Sequence, residues 1–319
     1  MTFPDFLRSL GIIPPETYHA GRWQRAPTDL HPKKKNAAIK LNEDGISGFA
    51  IDHSSMTEAA IWRANEKTEA PKYDHAAAER RIAARRAEEA AGTARALAAY
   101  NAATPLLNAM HPYVIAKLMT MEGLLGIRVD SAGWLVVPMW RNGSIVSIQR
   151  ISPEGEKRFA TGAPTKGATF RMWRKSACVT ILCEGLATGQ TIFSAIPNSS
   201  VEVCFSAANL VAVAERAEWS GMVAVAGDND HWTQEIHGKN PGVEAASKAA
   251  QIIGCGYAVP TCDGSDFNDF FVERLTILEK REKDKPWPAS PHKLRASALM
   301  PVRMEIMRAA RNVSLKTRG

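Results

Sequence analysis

The sequence predicts an α/β protein. A parallel sheet flanked by helices follows a smaller basic α+β subdomain and a small β-rich N-terminal module. Three observations predict this. From Cys178 onward, apolar β-branched runs alternate with helical patterns of about 10–15 residues, the signature of a parallel sheet. Acidic residues stand at the ends of those runs or in the turns after them, in VTILCEG (Val179 to Gly185), GDND (Gly227 to Asp230) and SDFNDFF (Ser265 to Phe271). Upstream, GWLVVPMW (Gly133 to Trp140) and SIVSIQRI (Ser144 to Ile151) flank Asn142-Gly143, a strong hairpin signal.

The 319 residues set a prior of about two domains, and the composition divides them further, into 1–66, 67–103, 104–177, 178–280 and 281–319. In residues 1–66 short apolar patches alternate with Gly, Pro and Asp, which reads as a small β-rich module. Arg22, Trp23, Arg25 and Lys33 to Lys35 mix cations with an aromatic, as phosphates and stacked bases require; a solvated loop is the competing reading. DHAAAERRIAARRAEEAAGTARALAAY reads as one helix over about 73–103, rich in strong helix formers. Its only large aliphatics are Ile82 and Leu97, so it reads as a connector.

Residues 104–177 hold the short amphipathic HPYVIAKLM (His111 to Met119) and the hairpin. Arg150, Lys157, Arg158, Lys166 and Arg171 follow, a candidate basic ridge facing phosphates. In 178–280 the spacing predicts strands near 179–183, 201–205, 222–226 and 256–260. Helices are predicted near 187–195, 208–217, 242–253 and 267–280.

The net charge is +7, and residues 280–319 carry eleven Lys/Arg against three Asp/Glu, a balance of +8. The end of the chain therefore reads as a basic tail, a handle for nucleic acid or a solvated segment without a partner. The five cysteines form no CxxC pair, and three lie in or beside predicted strands, as free thiols in a reducing compartment do. Together with the lack of a signal segment and of an apolar run of about 18 residues, this predicts a cytoplasmic protein without a membrane partner. No GxxxxGK[ST] string occurs, so no nucleotide-driven motor is encoded.

In an open α/β sheet ligands bind at the carboxyl ends of the strands. Glu184, Asp228, Asp230, Asp266 and Asp269 would converge there on one hard cation. Asp228 and Asp230 point to the same side of an extended segment, and two like charges that close favour a bound cation. Oxygen-only donors fit Mg2+, with Mn2+ as a substitute, rather than Zn2+. His231 and His237 read as loop residues, since no partner stands at zinc spacing.

These motifs resemble the Toprim domain of bacterial-type primases, type IA and type II topoisomerases and some nucleases. Glu184-Gly185 matches its Glu-Gly after the first strand, Asp228-Asn229-Asp230 its DxD, and Asp266-Phe267-Asn268-Asp269 its downstream acidic site. EGLATGQTIF and SAANLVAVA (Ser206 to Ala214) look most like the Toprim primases of phages and plasmids, and the basic hairpin module resembles the subdomain preceding Toprim in them. The resemblance implies a DNA primase that makes short RNA primers on single-stranded DNA from NTPs. Glu184, Asp228 and Asp230 would be its catalytic metal-binding residues, with Asp266 and Asp269 as further metal candidates. Arg150, Lys157, Arg158, Lys166 and Asn209 would bind nucleotide or nucleic acid, and a separate replicative helicase would be the partner. A Toprim nuclease and a non-catalytic nucleic-acid-binding accessory protein are the alternatives. No cysteine precedes Cys178, so no Cys-based zinc ribbon forms in the first module and no zinc is expected.

Overall fold

The computed structural model describes residues 1–56, 58–64, 75–216, 219–229, 240–261 and 265–313. It divides into two compact units, Met1–Ala83 and Ala84–Gly319. The first is a helix, α1 (Phe3–Ser9), with a four-stranded antiparallel sheet of β1 (Gln24–Ala26), β2 (Ala37–Leu41), β3 (Ser47–Asp52) and β4 (Ala60–Arg63). Thr2 and Asp5 form a reciprocal capping box at the start of α1. β3 alternates part-buried and buried residues, so one face turns to the core of Phe3, Leu7, Ile39 and Trp62.

The long helix α2 (His75–Ala102) leads into a five-stranded antiparallel sheet. Its strands are β5 (Thr104–Pro105), β6 (Arg128–Val129), β7 (Leu135–Arg141), β8 (Ser144–Ile151) and β9 (Lys157–Phe159), with α3 (Pro112–Ala116) between β5 and β6. The β7–β8 turn places Asn142 at φ 51° and Gly143 at φ 76°, the left-handed pair that an Asn-Gly hairpin turn uses.

The sequence reading of α2 as a connector is corrected here. Ile82 and Leu97, on which that reading rested, are exposed. The packed stripe is Gly92, Ala96 and Tyr100, four residues apart, and Ala96 and Tyr100 meet Val136 and Ile148 of the hairpin. A Cβ on Gly92 would lie 2.3 Å from the Gly162 carbonyl carbon, so only glycine permits this approach. Small residues carry this interface, and a search for large aliphatics passes over them.

The central sheet has the order β10 (Phe170–Met172), β12 (Ser199–Val203), β11 (Val179–Cys183), β13 (Gly221–Ala226), β14 (Gly256–Ala258). β11 pairs parallel with β12 and β13, and β13 with β14; β10 runs antiparallel at one edge. Helices α4 (Leu186–Ala195), α5 (Ala207–Arg216), α6 (Pro241–Ile253), α7 (Phe267–Glu282) and α8 (Pro291–Ala309) cover both faces. Leu182, Val223 and Val225 pack on α5 and α6, whereas Ile181, Cys183 and Ala224 turn toward α4, α7 and α8. The alternation follows from the pleat: successive side chains of one strand serve opposite layers.

The basic tail expected over 281–319 is also corrected. α8 buries Leu294, Ala298, Val302 and Ile306, one residue per helical turn, in the main core. β15 (Arg311–Val313) then adds to the sheet antiparallel to β13. The net charge was a poor guide because the cations of α8 lie around an apolar stripe that Pro301 and three methionines obscure in the sequence. Ile306→Ala is expected to cost about 2–5 kcal/mol in chemical denaturation; a loss below about 0.5 kcal/mol, as at a surface site, would restore the tail. Gly92→Ala is expected to cost about 1–3 kcal/mol by overpacking, read from the thermal midpoint, and no shift would contradict the close approach.

Candidate active site

Glu184 follows β11 directly, Asp228 follows β13 after Gly227, and Asp266 caps α7. Because β11 and β13 are parallel, their chain ends reach the same edge of the sheet. Backbone hydrogen bonds then fix the turns. Phe205 N–H donates to the Glu184 carbonyl at 2.7 Å, and Cys204 N–H to the Cys183 carbonyl at 2.8 Å, so the turn after β12 is laid along the Glu184 turn. Phe205 takes φ 70°, a left-handed conformation that is rare for a bulky residue, and its ring packs edge-on against Phe159 of β9. On the other side Asn229 N–H donates to the Ser265 carbonyl at 3.0 Å, and Asn229 Nδ2 to the Pro260 carbonyl at 3.2 Å. This joins the GDND and SDFND segments. The Asn240 side chain donates to Asn229 Oδ1 at 3.0 Å while accepting from Val243 N–H as the cap of α6.

One buried thiol reports how the carboxylates lie. Burial pushes the Cys183 thiol well above its ordinary range, and Cys204, Asp228, Asp266 and Glu184 push it further in the same direction. Asp228, Asp266 and Glu184, from three chain segments, thus all lie within electrostatic reach of one strand end. Their donor set is oxygen only and negative, which fits a hard divalent cation. Among the described residues no three Asp, Glu, His or Cys side chains stand close enough together to hold a metal ion. Asp230, His231 and His237 lie outside the described residues.

Asp269 has a different role from the other acids. It forms an ion pair with Lys117 Nζ at 2.8 Å, and next to it the buried Asn268 donates to the Lys117 carbonyl at 2.8 Å and to Thr191 Oγ1 at 3.0 Å. The α7 start is thus clasped to the segment after α3. Asp266 Oδ1 accepts from the N–H groups of Asn268 at 2.7 Å and Asp269 at 2.9 Å. A cavity of about 340 Å3 opens at this junction, lined by Tyr113 and Lys117 on one side, Lys157 on a second, and Gly185, Thr188 and Asp266 on a third. Burial, with Asp266 and Asp269 adding to it, holds the Tyr113 phenol protonated. Tyr113, Lys117 and Thr188 were not singled out in the sequence, although two of them lie in HPYVIAKLM and one in EGLATGQTIF.

The predicted basic ridge is distributed over separate places. Lys157 lines the cavity just described. Arg150 and Arg158, register partners on β8 and β9, stand over the Trp134 ring at 4.8 and 5.1 Å, and Arg150 Nε also donates to Asp130 at 2.8 Å. Arg171 pairs with Glu202 at 2.9 Å. Lys166 lines a second cavity, of about 660 Å3, with Arg85, Arg141 and Arg216. Asn209, expected to touch nucleotide or nucleic acid, is buried: its Oδ1 accepts from Gly167 N–H at 2.6 Å and its Nδ2 donates to the Ala168 and Cys204 carbonyls at 2.8 and 2.7 Å. Its polar groups are engaged by backbone, so it shapes the loop that presents Lys166.

Two outcomes follow. Asn209→Leu leaves Gly167 N–H and two carbonyls without this partner and is expected to cost about 1–3 kcal/mol, measured by denaturation; an unchanged midpoint would contradict the anchoring role. Since a thiol reacts as thiolate, the raised Cys183 and Cys204 are neutral at pH 7. Iodoacetamide should label the exposed Cys178 and spare both buried thiols in the native protein, as mass spectrometry would read. Labelling of Cys183 as fast as Cys178 would overturn that assignment.

Comparison with known proteins bears on the same region. The Toprim domain family matches residues 179–276. Two Escherichia coli proteins named DNA primase TraC are similar, one 31% identical over 152 residues and one 26% identical over 270 residues. The matches take in 45% and 79% of this chain but span only 10% and 25% of those proteins. Among solved structures, the primase fragment of the bacteriophage T7 primase-helicase protein is matched at TM-score 0.37 and 16% identity, covering 50% of this chain and 68% of that one. A structure of the bacteriophage T7 lagging-strand DNA polymerase interacting with primase domains is matched at TM-score 0.36 and 16% identity, over 50% of this chain and 83% of that one. Residues 179–276 match the Toprim domain family, and the chain resembles the Toprim primases of phages and plasmids.

Proposed function

We propose that this chain carries the catalytic core of a DNA primase, which makes short RNA primers on single-stranded DNA by Mg2+-dependent nucleotidyl transfer. The observation that carries the proposal is the cavity that Asp266, at the start of α7, and Lys157, of the basic subdomain, line together. A polymerising site must hold a nucleotide and a template together, and the basic hairpin subdomain preceding the acids favours that reading over a nuclease.

Each side chain then has a task. Glu184, Asp228, Asp230 and, second to them, Asp266 would hold Mg2+, which supplies charge neutralisation for phosphates and lowers the pKa of an attacking hydroxyl when bound. Asp269 stays paired with Lys117 and keeps α7 against the basic subdomain. Lys157 faces the cavity and attracts a nucleotide's phosphates. Arg150 and Arg158, stacked on Trp134, offer a cationic surface for a template backbone. Asn209 holds the Lys166 loop in place for the same strand. Among the described residues no helix is long and apolar enough to cross a membrane, and the reading places the protein in the cytoplasm beside a separate helicase.

The test is incubation with single-stranded DNA, labelled NTPs and Mg2+. Short RNA products are expected, reduced on the order of 100-fold or more by Glu184→Gln or by Asp228→Asn. Cleaved DNA without primers would replace the primase by a nuclease, and full activity in both variants would overturn the site.

A further inference from the structure

The first unit carries a surface that the roles above leave unused. Its four-stranded sheet packs one face on α1, where Ile39, Ala50 and Trp62 are buried with Phe3 and Leu7. The pleat sends the alternate residues of each strand to the other face. Register places Lys40, Phe49 and Ile61 in one row across β2, β3 and β4, with Arg25 of β1 and Arg63 of β4 in the rows on either side. Trp23, just before β1, completes the central row: its ring lies 6.3 Å from that of Phe49. Trp23 is 55% exposed and Ile61 61% exposed. Exposed large apolar groups gathered on one sheet face mark a binding surface.

The occupant's chemistry follows from the charges around the rings. The only acid within the four strands is Asp52, which is buried on the α1 side and accepts from the Ser54 and Ser55 hydroxyls. In the β2–β3 turn Asp44 is spent on the N–H groups of Ile46 and Ser47, and Glu43 stands beside Gly21. The open face therefore presents cations and no carboxylate from its strands, and Arg22 and Lys33 to Lys35 are exposed in the adjoining segments. A partner helix would require a continuous apolar stripe, whereas here Lys40 lies in register with Phe49 and an arginine follows in the row on each side. Aromatic rings set among cations suit unpaired bases joined by phosphates, because every base has a face that stacks and the backbone charge meets the cations.

We infer that this sheet face is a stacking platform for single-stranded nucleic acid, DNA or RNA, on which Trp23 and Phe49 stack bases while Arg25, Lys40 and Arg63 pair with phosphates. The platform requires no metal ion, and stacking makes it tolerant of base sequence. It goes beyond the primase reading and does not rest on it, since its occupancy is measured without Mg2+, nucleotides or primer synthesis.

Titration of labelled single-stranded DNA and RNA oligonucleotides with the full chain in EDTA, read by fluorescence anisotropy, tests this. Wild type is expected to bind, and Trp23→Ala to weaken binding on the order of 10-fold. Trp23→Phe keeps an aromatic face and should stay within a few-fold of wild type. Trp23→Leu keeps only apolar bulk and should bind as weakly as the alanine variant, which separates stacking from packing. Arg63→Gln should reduce the slope of log affinity against log salt by about 0.7, the share of one phosphate in a single strand. Photocrosslinking of an iodouracil-substituted strand to wild type should give an adduct at Trp23. Binding of either strand type supports the platform, and the tighter one identifies the strand. Trp23→Ala or Trp23→Leu binding as tightly as wild type, competition by polyglutamate as strong as by unlabelled oligonucleotide, or adducts confined to Ala84–Gly319 would each overturn it.

Discussion

The parallel pairing of β11 with both β12 and β13 is the constraint on which the rest of the second unit depends. Parallel strands all end at one edge, so residues distant in sequence arrive there by topology alone. Glu184 and Asp228 need no special loop to meet; each follows its strand by at most two residues. What the loops add is registration. The Phe205 and Asn229 backbone N–H groups bind across to neighbouring segments and fix the heights of the turns. The cost of a left-handed phenylalanine is of order 1–3 kcal/mol, and it is borne where the turn after β12 meets both Glu184 and the basic hairpin.

The second feature is the way the basic subdomain is held against this edge. Lys117 is the centre: its ammonium pairs with Asp269, and its carbonyl accepts from Asn268. The next residue, Leu118, has φ 50°, and its carbonyl accepts from Arg295 of α8 at 2.9 Å. Arg295 in turn lies over the Phe271 ring at 4.9 Å. Helices α7 and α8 thus grip consecutive residues of the basic side. An exposed ion pair alone is worth little, but the buried amide beside it makes the clasp specific. Asp266, Asp269 and Lys157 therefore line one cavity.

Much of this was legible in the sequence, for definite reasons. The strand expected at 179–183 is Val179–Cys183, and that expected at 222–226 is Gly221–Ala226, because buried parallel strands are continuous apolar runs bounded by Gly or acid. The Asn-Gly hairpin was equally direct. The packing of α2 and α8 was not legible. One uses Gly92, Ala96 and Tyr100, which composition scores as helix filler. The other hides Leu294, Ala298, Val302 and Ile306 among cations and methionines. Asn209 shows a further limit: an amide in a motif looks like a ligand-binding group until its three hydrogen bonds to backbone are seen. Tyr113 and Thr188 lie far apart in sequence, and only folding brings them to one cavity.

The proposed chemistry requires that the acids following β11 and β13 hold one cation between them. Anomalous diffraction from crystals soaked in Mn2+ measures this directly. A manganese peak at Glu184 and Asp228, absent in Asp228→Asn, is the predicted result. Full-occupancy manganese elsewhere with none at this edge would contradict it.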